Sequence, residues 1–175
     1  LSLAIRGVGG QGNLFFGKVL AQVAFLAGYD DRNILKGETH GMAQMGGPVI
    51  STFGCGEVFS PALVPGTANV LIAMEKAEVL RPGFLDLLEP GGTVLMADTR
   101  ILPHGLKPEA YPSDEAIAAQ LEGYRVVSVD VLSIALNLGD PKGRCANVAM
   151  LGVLSTLPPF DVVPELSLIH ISEPT

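Results

Sequence analysis

Hydrophobic positions along the chain fall into short runs broken by glycine, proline or charge, and two periods alternate among them. Residues 1–6 read as a strand. Residues 13–28 carry a helical pattern that is apolar nearly all round, from Leu14 and Phe15 to Phe25 and Leu26, which predicts a helix covered on two sides. Gly28 supplies its C-terminal stop. A second strand of mixed polarity spans 29–36, and 49–53 is a third. The third turns at Gly54-Cys55-Gly56 into a short return strand over 57–60, giving an antiparallel hairpin or bulged edge.

The continuous apolar run 70–74 has the character of a central parallel strand, and 76–88 reads as a helix broken near Arg81-Pro82-Gly83. Gly91-Gly92 leads into a buried strand over 93–97, and 98–112 forms a long surface connection. Ser113 caps a helix running to about Gly123, with Asp114 and Glu115 in its first turn. A strand over 125–129, a helix over 131–137 and an apolar helix over 146–157, stopped by Pro158-Pro159, complete the series. Repeated strand–helix units predict a single α/β domain, doubly wound and Rossmann-like, with a mostly parallel sheet.

Two stretches stand outside this regular pattern. Gly7-Val8-Gly9-Gly10-Gln11-Gly12 joins the first strand to the first helix, where glycines accept positive φ and let backbone N–H groups approach a ligand or another backbone. Gly7, Gly9 and Gly12 meet the G-x-G-x-x-G spacing of dinucleotide-binding turns, yet tight helix-on-strand packing asks for the same residues. A dinucleotide site also needs an acid about 20 positions on to hold a ribose. Glu38 is the candidate, because Asp30 and Asp31 fall at the wrong end of the second strand. The other stretch, residues 37–48, is too rich in glycine for a helix and too apolar for a solvated loop. Within it His40 suits a proton shuttle, a phosphate contact or a purely organising hydrogen bond, and Met42 and Met45 suit an adaptable protein-facing surface.

Composition narrows the choices. A net charge of −7 over 175 residues, with only 11 Lys and Arg and no basic run, argues against nucleic acid as a partner. Hydrophobic content of 48 % is high, but every apolar run is interrupted before the roughly 18 residues of a membrane span. A buried sheet plus a partner interface accounts for the excess. Cys55 and Cys145 are the two cysteines and neither belongs to a Cys-x-x-Cys pair, so the chain cannot by itself hold a four-thiolate iron–sulfur cluster or a structural zinc. No metal site and no nucleophile–base pair emerges, and no catalytic residue is assigned.

Three motifs taken in order, Gly-Val-Gly-Gly-Gln-Gly at 7–12, Glu-Thr-His-Gly-Met-Ala-Gln-Met-Gly-Gly at 38–47 and Ala-Asn-Val-Ala-Met-Leu-Gly at 146–152, resemble the gamma-type domain of 2-oxoacid:ferredoxin oxidoreductases. Within that family the second motif is most similar to beta subunits of the indolepyruvate-oxidising enzymes. The resemblance implies the small subunit of a cytoplasmic heteromer that oxidatively decarboxylates indolepyruvate or another aryl 2-oxoacid with coenzyme A and passes electrons to ferredoxin. It places thiamine diphosphate and the [4Fe-4S] clusters on a large alpha subunit, and implies that the isolated chain holds no cofactor and is inactive. Residues implied to line the partner or active-site surface are Gly7, Gly9, Gly10, Gln11, Gly12, Glu38, His40, Gln44, Gly46 and Gly47. Met45 stands where the family often has Arg, which removes a cation from the second motif. A stand-alone NAD- or FAD-binding domain and a non-catalytic subunit of another 2-oxoacid oxidoreductase are the competing readings.

Both ends read as cut. The family domain is expected over 1–157, with 158–175 a Pro-rich end and a non-native tail. Residues 166–175 resemble translated sequencing-adapter DNA, and a further C-terminal helix is expected in the natural subunit.

Overall fold

The computed structural model describes residues 1–40, 47–102, 107–143 and 145–162. The elements run β1 (Ser2–Val8), α1 (Asn13–Leu26), β2 (Ile34–His40), β3 (Pro48–Cys55), β4 (Ala68–Ala73), β5 (Leu88–Ala97), α2 (Asp114–Gln120), β6 (Arg125–Val129), α3 (Val131–Asn137) and α4 (Ala146–Leu154). The six strands form one sheet in the order β2-β3-β1-β4-β5-β6. β1, β4, β5 and β6 pair in parallel, whereas β3 runs antiparallel to both of its neighbours. The expected mostly parallel α/β sheet is present, with its antiparallel element placed differently.

Strand β3 inserts between β1 and β2, and the antiparallel pair is β2 with β3. The return strand expected over 57–60 is absent, because both edges of β3 are already paired. Gly56, at φ +95°, turns the chain out of the sheet instead. The second strand begins later than the sequence pattern suggests. Asp30 accepts a hydrogen bond from the Arg32 backbone N–H at 2.9 Å and closes a 3-10 turn over Asp31–Asn33, so residues 37–40 lie in the strand rather than in a loop.

The core divides across the sheet. On one face α1, α3 and α4 bury Phe16, Leu20, Val131, Met150 and Leu154 against Leu3, Ile5, Ile72 and Leu95. On the other, Ala4, Leu71, Ala73 and Val94 meet Ile117 and Leu121 of the α2 region and Val79 and Phe84. The broken helix expected over 76–88 is two 3-10 turns, Lys76–Leu80 and Leu85–Leu87, because Pro82 and the left-handed Gly83 stop any helix between them. Ser113 caps α2 as expected, accepting from the Ala116 N–H at 3.2 Å. Gly28, at φ +88°, terminates α1. Cover over α1 is one-sided, contrary to expectation. Its outer stripe leaves Leu14, Phe15, Phe25 and Leu26 exposed, up to 70 % for Leu26. Phe160, beyond the Pro158-Pro159 stop, returns to the core. Among the described residues no helix is long and apolar enough to cross a membrane.

Candidate functional site

The glycine turn lies at the C-terminal edge of β1, beside the end of β4. Two parallel strands whose connections leave in opposite directions normally splay apart there and form a ligand crevice. In this chain the crevice is bridged from within. The Gln11 side-chain oxygen accepts from the Val8 N–H at 2.7 Å, and its amide nitrogen donates to the Met74 carbonyl at 2.7 Å. Since the Met74 N–H already bonds the Arg6 carbonyl at 2.8 Å, Gln11 extends the β1–β4 ladder by one rung made of a side chain.

The glycines are explained by close approach. A Cβ on Gly7 would lie 2.8 Å from the Gln11 oxygen and 2.9 Å from the Asn13 oxygen. A Cβ on Gly12, at φ +81°, would lie 2.6 Å from the Asn147 side-chain nitrogen at the start of α4. Gly10, at φ +101°, has nothing within 4 Å of its Cβ position. The Gly9 N–H donates to the Gly47 carbonyl at 2.8 Å, and the Gln11 N–H to the Val8 carbonyl at 3.1 Å. In a dinucleotide-binding turn the second glycine admits the pyrophosphate; here the Gly9 amide is engaged by the β2–β3 hairpin. Asn13 is only 5 % exposed, and neither amide atom of its side chain has a hydrogen-bond partner. It leaves an unpaired polar side chain at the start of α1.

The structure thus brings Gly7, Gly9, Gly10, Gln11, Gly12 and Gly47 together, and adds Asn13 and Asn147; Asn147 belongs to the third motif, but neither was named as a site residue from the sequence. It separates Glu38 from them. Glu38 is exposed on β2, opposite Ser51 of β3, and β3 stands between β2 and β1. Two strand spacings, roughly 10 Å, are too far for a carboxylate to hold a ribose whose phosphates sit on the turn. The His40 backbone pairs with Val49 at the end of β2. Gln44 and Gly46 lie outside the described residues.

A second polar group occupies the opposite face of the same sheet edge. Glu75, immediately after β4, is 2 % exposed, and its carboxyl accepts from the Tyr111 hydroxyl and, at 3.4 Å, from the Ile101 N–H. Burial raises the Glu75 pKa above the usual carboxylate range, against the hydrogen bonds that favour its charged form. Burial, and then the bond to Glu75, holds the Tyr111 hydroxyl well above the ordinary tyrosine pKa. Three residues on, buried Glu78 takes Arg81 through two nitrogens at 3.0 Å and approaches Arg6 at 3.6 Å. The Arg6 guanidinium stands 5.6 Å from the Phe84 ring, and burial lowers its pKa. The sequence signal for this cluster was a pair of acids three apart just past a fully apolar strand, where solvated glutamates would be expected.

Among the described residues no group of three His, Cys, Asp or Glu is arranged to hold a metal. Cys55 is buried on β3 against Tyr29, and Cys145 sits at the start of α4, so the two thiols do not form a cluster ligand set.

The family model for pyruvate ferredoxin/flavodoxin oxidoreductase matches residues 2–170. The chain is 34 % identical over 158 residues to an indolepyruvate oxidoreductase subunit IorB of Archaeoglobus fulgidus, covering 88 % of this chain and 75 % of the relative. Among solved structures, the pyruvate oxidoreductase subunit PORC of Thermotoga maritima superposes with a TM-score of 0.66 at 19 % identity, over 99 % of this chain and 86 % of that one. A 2-oxoglutarate:ferredoxin oxidoreductase from Magnetococcus marinus, solved with 2-oxoglutarate, coenzyme A and succinyl-CoA bound, gives 0.64 at 20 % identity, with this chain covering 97 % of itself and 26 % of that larger chain. Those two likenesses are of fold.

Proposed function

The chain belongs to the pyruvate ferredoxin/flavodoxin oxidoreductase family, and on that premise we propose that it is the small subunit of a thiamine diphosphate- and iron–sulfur-dependent 2-oxoacid:ferredoxin oxidoreductase. Its substrate in this reading is indolepyruvate or another aryl 2-oxoacid, converted with coenzyme A to the acyl-CoA and carbon dioxide. The observation that carries the substrate is the identity to a subunit named for indolepyruvate over most of both chains.

Two structural features support a subunit role. The outer face of α1 exposes Leu14 and Phe15 at its start and Phe25 and Leu26 at its end, with Lys18 and Gln22 between, and exposed large apolar side chains of this kind are what a partner covers. The scarcity of thiols agrees with clusters carried by a large alpha subunit. Thiamine diphosphate would supply the carbanion-stabilising chemistry from that subunit. This chain's own contribution is a bonded edge: the Gln11 rung ties the glycine turn to the end of β4, and the Gly9–Gly47 bond ties it to the start of β3. Gly10, with open space at its Cβ position, leaves room for backbone approach by a partner or by coenzyme A at the start of α1. The assembly would act in the cytoplasm and pass electrons to ferredoxin.

The test is anaerobic co-purification from the native host with the tagged subunit, followed by viologen reduction dependent on both indolepyruvate and coenzyme A. A brown, thiamine-containing partner with aryl-selective turnover is expected. A chain that purifies alone, or a complex that turns over short aliphatic 2-oxoacids in preference, would overturn the reading.

A further inference from the structure

The cluster around Glu75 borders a cavity of about 270 Å³ on the sheet face opposite α1, beneath the C-terminal ends of β1 and β4. Its wall is largely apolar, from Val8, Pro48, Leu80, Pro82, Ile101 and Pro112, and its polar members are Glu75, Glu78, Arg81 and Tyr111. That is the composition of a small-ligand site, with an apolar enclosure and a few convergent polar groups.

The charge balance decides which ligand fits. Glu78 is one carboxylate facing two guanidiniums, Arg6 and Arg81, and Glu75 is the only other acid in the group. Glu78 alone is paired with the two guanidiniums, while Glu75 is turned to the Tyr111 hydroxyl and the Ile101 N–H. A positively charged ligand would be repelled by the two guanidiniums that share Glu78, and an anion would be drawn to them. The cation that can reach an occupant is Arg81. Its Nε and Nη2 both hold Glu78, its Nη1 is uncommitted among the described residues, and its side chain is 42 % exposed. Arg6 contributes charge from behind, stacked on Phe84 and only partly matched by Glu78, with its Nε lacking a hydrogen-bond partner. We propose that this cavity binds a small monocarboxylic acid, its carboxylate on the outer edge of Arg81 and its apolar body against Leu80, Pro82 and Ile101.

A proton is coupled to that binding. The Glu75 carboxyl faces the Tyr111 hydroxyl and the Ile101 N–H from the long connection, and Glu78 and the Ala77 N–H from its own segment. Arg81 and Arg6 act on it through Glu78, and Arg100, 5.4 Å from the Tyr111 ring, lies behind the tyrosine. Burial outweighs the donors and raises its pKa. An anionic ligand beside it favours the protonated form further, so one proton is held with the ligand. Affinity should therefore fall as pH rises through the Glu75 pKa, by up to about tenfold per pH unit. The site does not depend on which reaction the assembly performs.

The experiment titrates the full chain with phenylacetate and follows amide shifts of Val8, Arg81 and Ile101 by NMR, with phenylacetamide as the uncharged isostere. Saturable shifts with phenylacetate, and binding at least about tenfold weaker for phenylacetamide, are expected from loss of one charge-assisted pair. Arg81→Gln should weaken phenylacetate to the level of the amide. Glu75→Gln, isosteric and unable to ionise, should bind at pH 8 as the wild type does at low pH and lose the pH dependence. No saturable shift at millimolar phenylacetate, equal binding of acid and amide, or a wild-type affinity independent of pH each overturns the proposal, and the first two need no variant. Binding to the free chain that vanishes in the complex with a partner subunit overturns it as well, since the cavity would then be a socket for a partner side chain.

Discussion

Replacing Gln11 by Ala isolates the claim that a side chain serves as the last rung of the β1–β4 ladder. The substitution deletes two hydrogen bonds of 2.7 Å and leaves the Val8 N–H and the Met74 carbonyl without the partners they have now. A polar group left unpaired away from water costs about 1–3 kcal/mol. Gln11 is half-buried, so water partly repairs both losses, and the expected sum is about 2–4 kcal/mol. For a domain of this size 1 kcal/mol moves Tm by about 2–4 °C, so a fall of about 5–15 °C is expected. Gln11→Glu separates geometry from mere packing. A carboxylate can still accept from Val8 but meets the Met74 carbonyl as a second acceptor, and only its protonated form can donate there. The folded-state pKa of that Glu should thus be raised above its unfolded value. Its stabilising part is then fully present below the unfolded pKa and is lost as pH rises through the folded one. Thermal melts by circular dichroism at pH 5 and pH 8 provide the assay. A Gln11→Ala melt within a degree of wild type, or a Gln11→Glu protein insensitive to pH, would refute the rung.

Three further outcomes follow from the same geometry. Gly12→Ala should cost about 1–2 kcal/mol for a left-handed non-glycine residue, plus the displacement of Asn147, and Asn147→Ala should recover only the second part; urea denaturation of the single and double variants that proves strictly additive would contradict the contact. Tyr111→Phe removes a donor that lowers the Glu75 pKa, so that pKa should climb further; its raised folded value means that stability declines as pH rises, and urea midpoints from pH 5 to pH 8 should fall more steeply in the variant, while Glu75→Gln should flatten the slope. Ser113→Ala should lose the α2 cap at a cost of about 1 kcal/mol, read as a urea midpoint shift with unchanged slope, and an unshifted midpoint would show the cap to be idle.

How much of the site could be read in advance depends on how far apart its parts lie along the chain. The glycine turn, the α1 helix behind it and the Ser113 cap are local, and each is announced by residues within a few positions of where it forms. The family motifs at 7–12 and 38–47 pointed to segments that the fold does bring together, through the Gly9–Gly47 bond. Glu38 was chosen on a spacing rule that assumes β2 lies beside β1; the inserted β3 breaks that assumption. The Glu75–Tyr111 contact joins residues 36 apart, and the Gln11–Met74 contact residues 63 apart. Neither has a periodic or compositional signature.

Sequence by itself determined the parallel strands β1, β4, β5 and β6, the helices α1 to α4, the left-handed turn at Gly10 and Gly12, the absence of a four-thiolate set and the family. Those properties follow from backbone preference, hydrophobic period and residue inventory, which act over a few residues or need only counting. Tertiary structure decided the strand order, the one-sided cover of α1, the bridging of the switch-point crevice by Gln11 and the burial of Glu75 and Glu78 among two arginines and a tyrosine. Strand pairing is a competition among all edges at once, and β3 has its two edges taken by β1 and β2, which leaves none for the segment 57–60 that follows it. A buried carboxyl has the charge state its three-dimensional surroundings impose, and those surroundings come from β1, from the segment after β4 and from the long connection before α2.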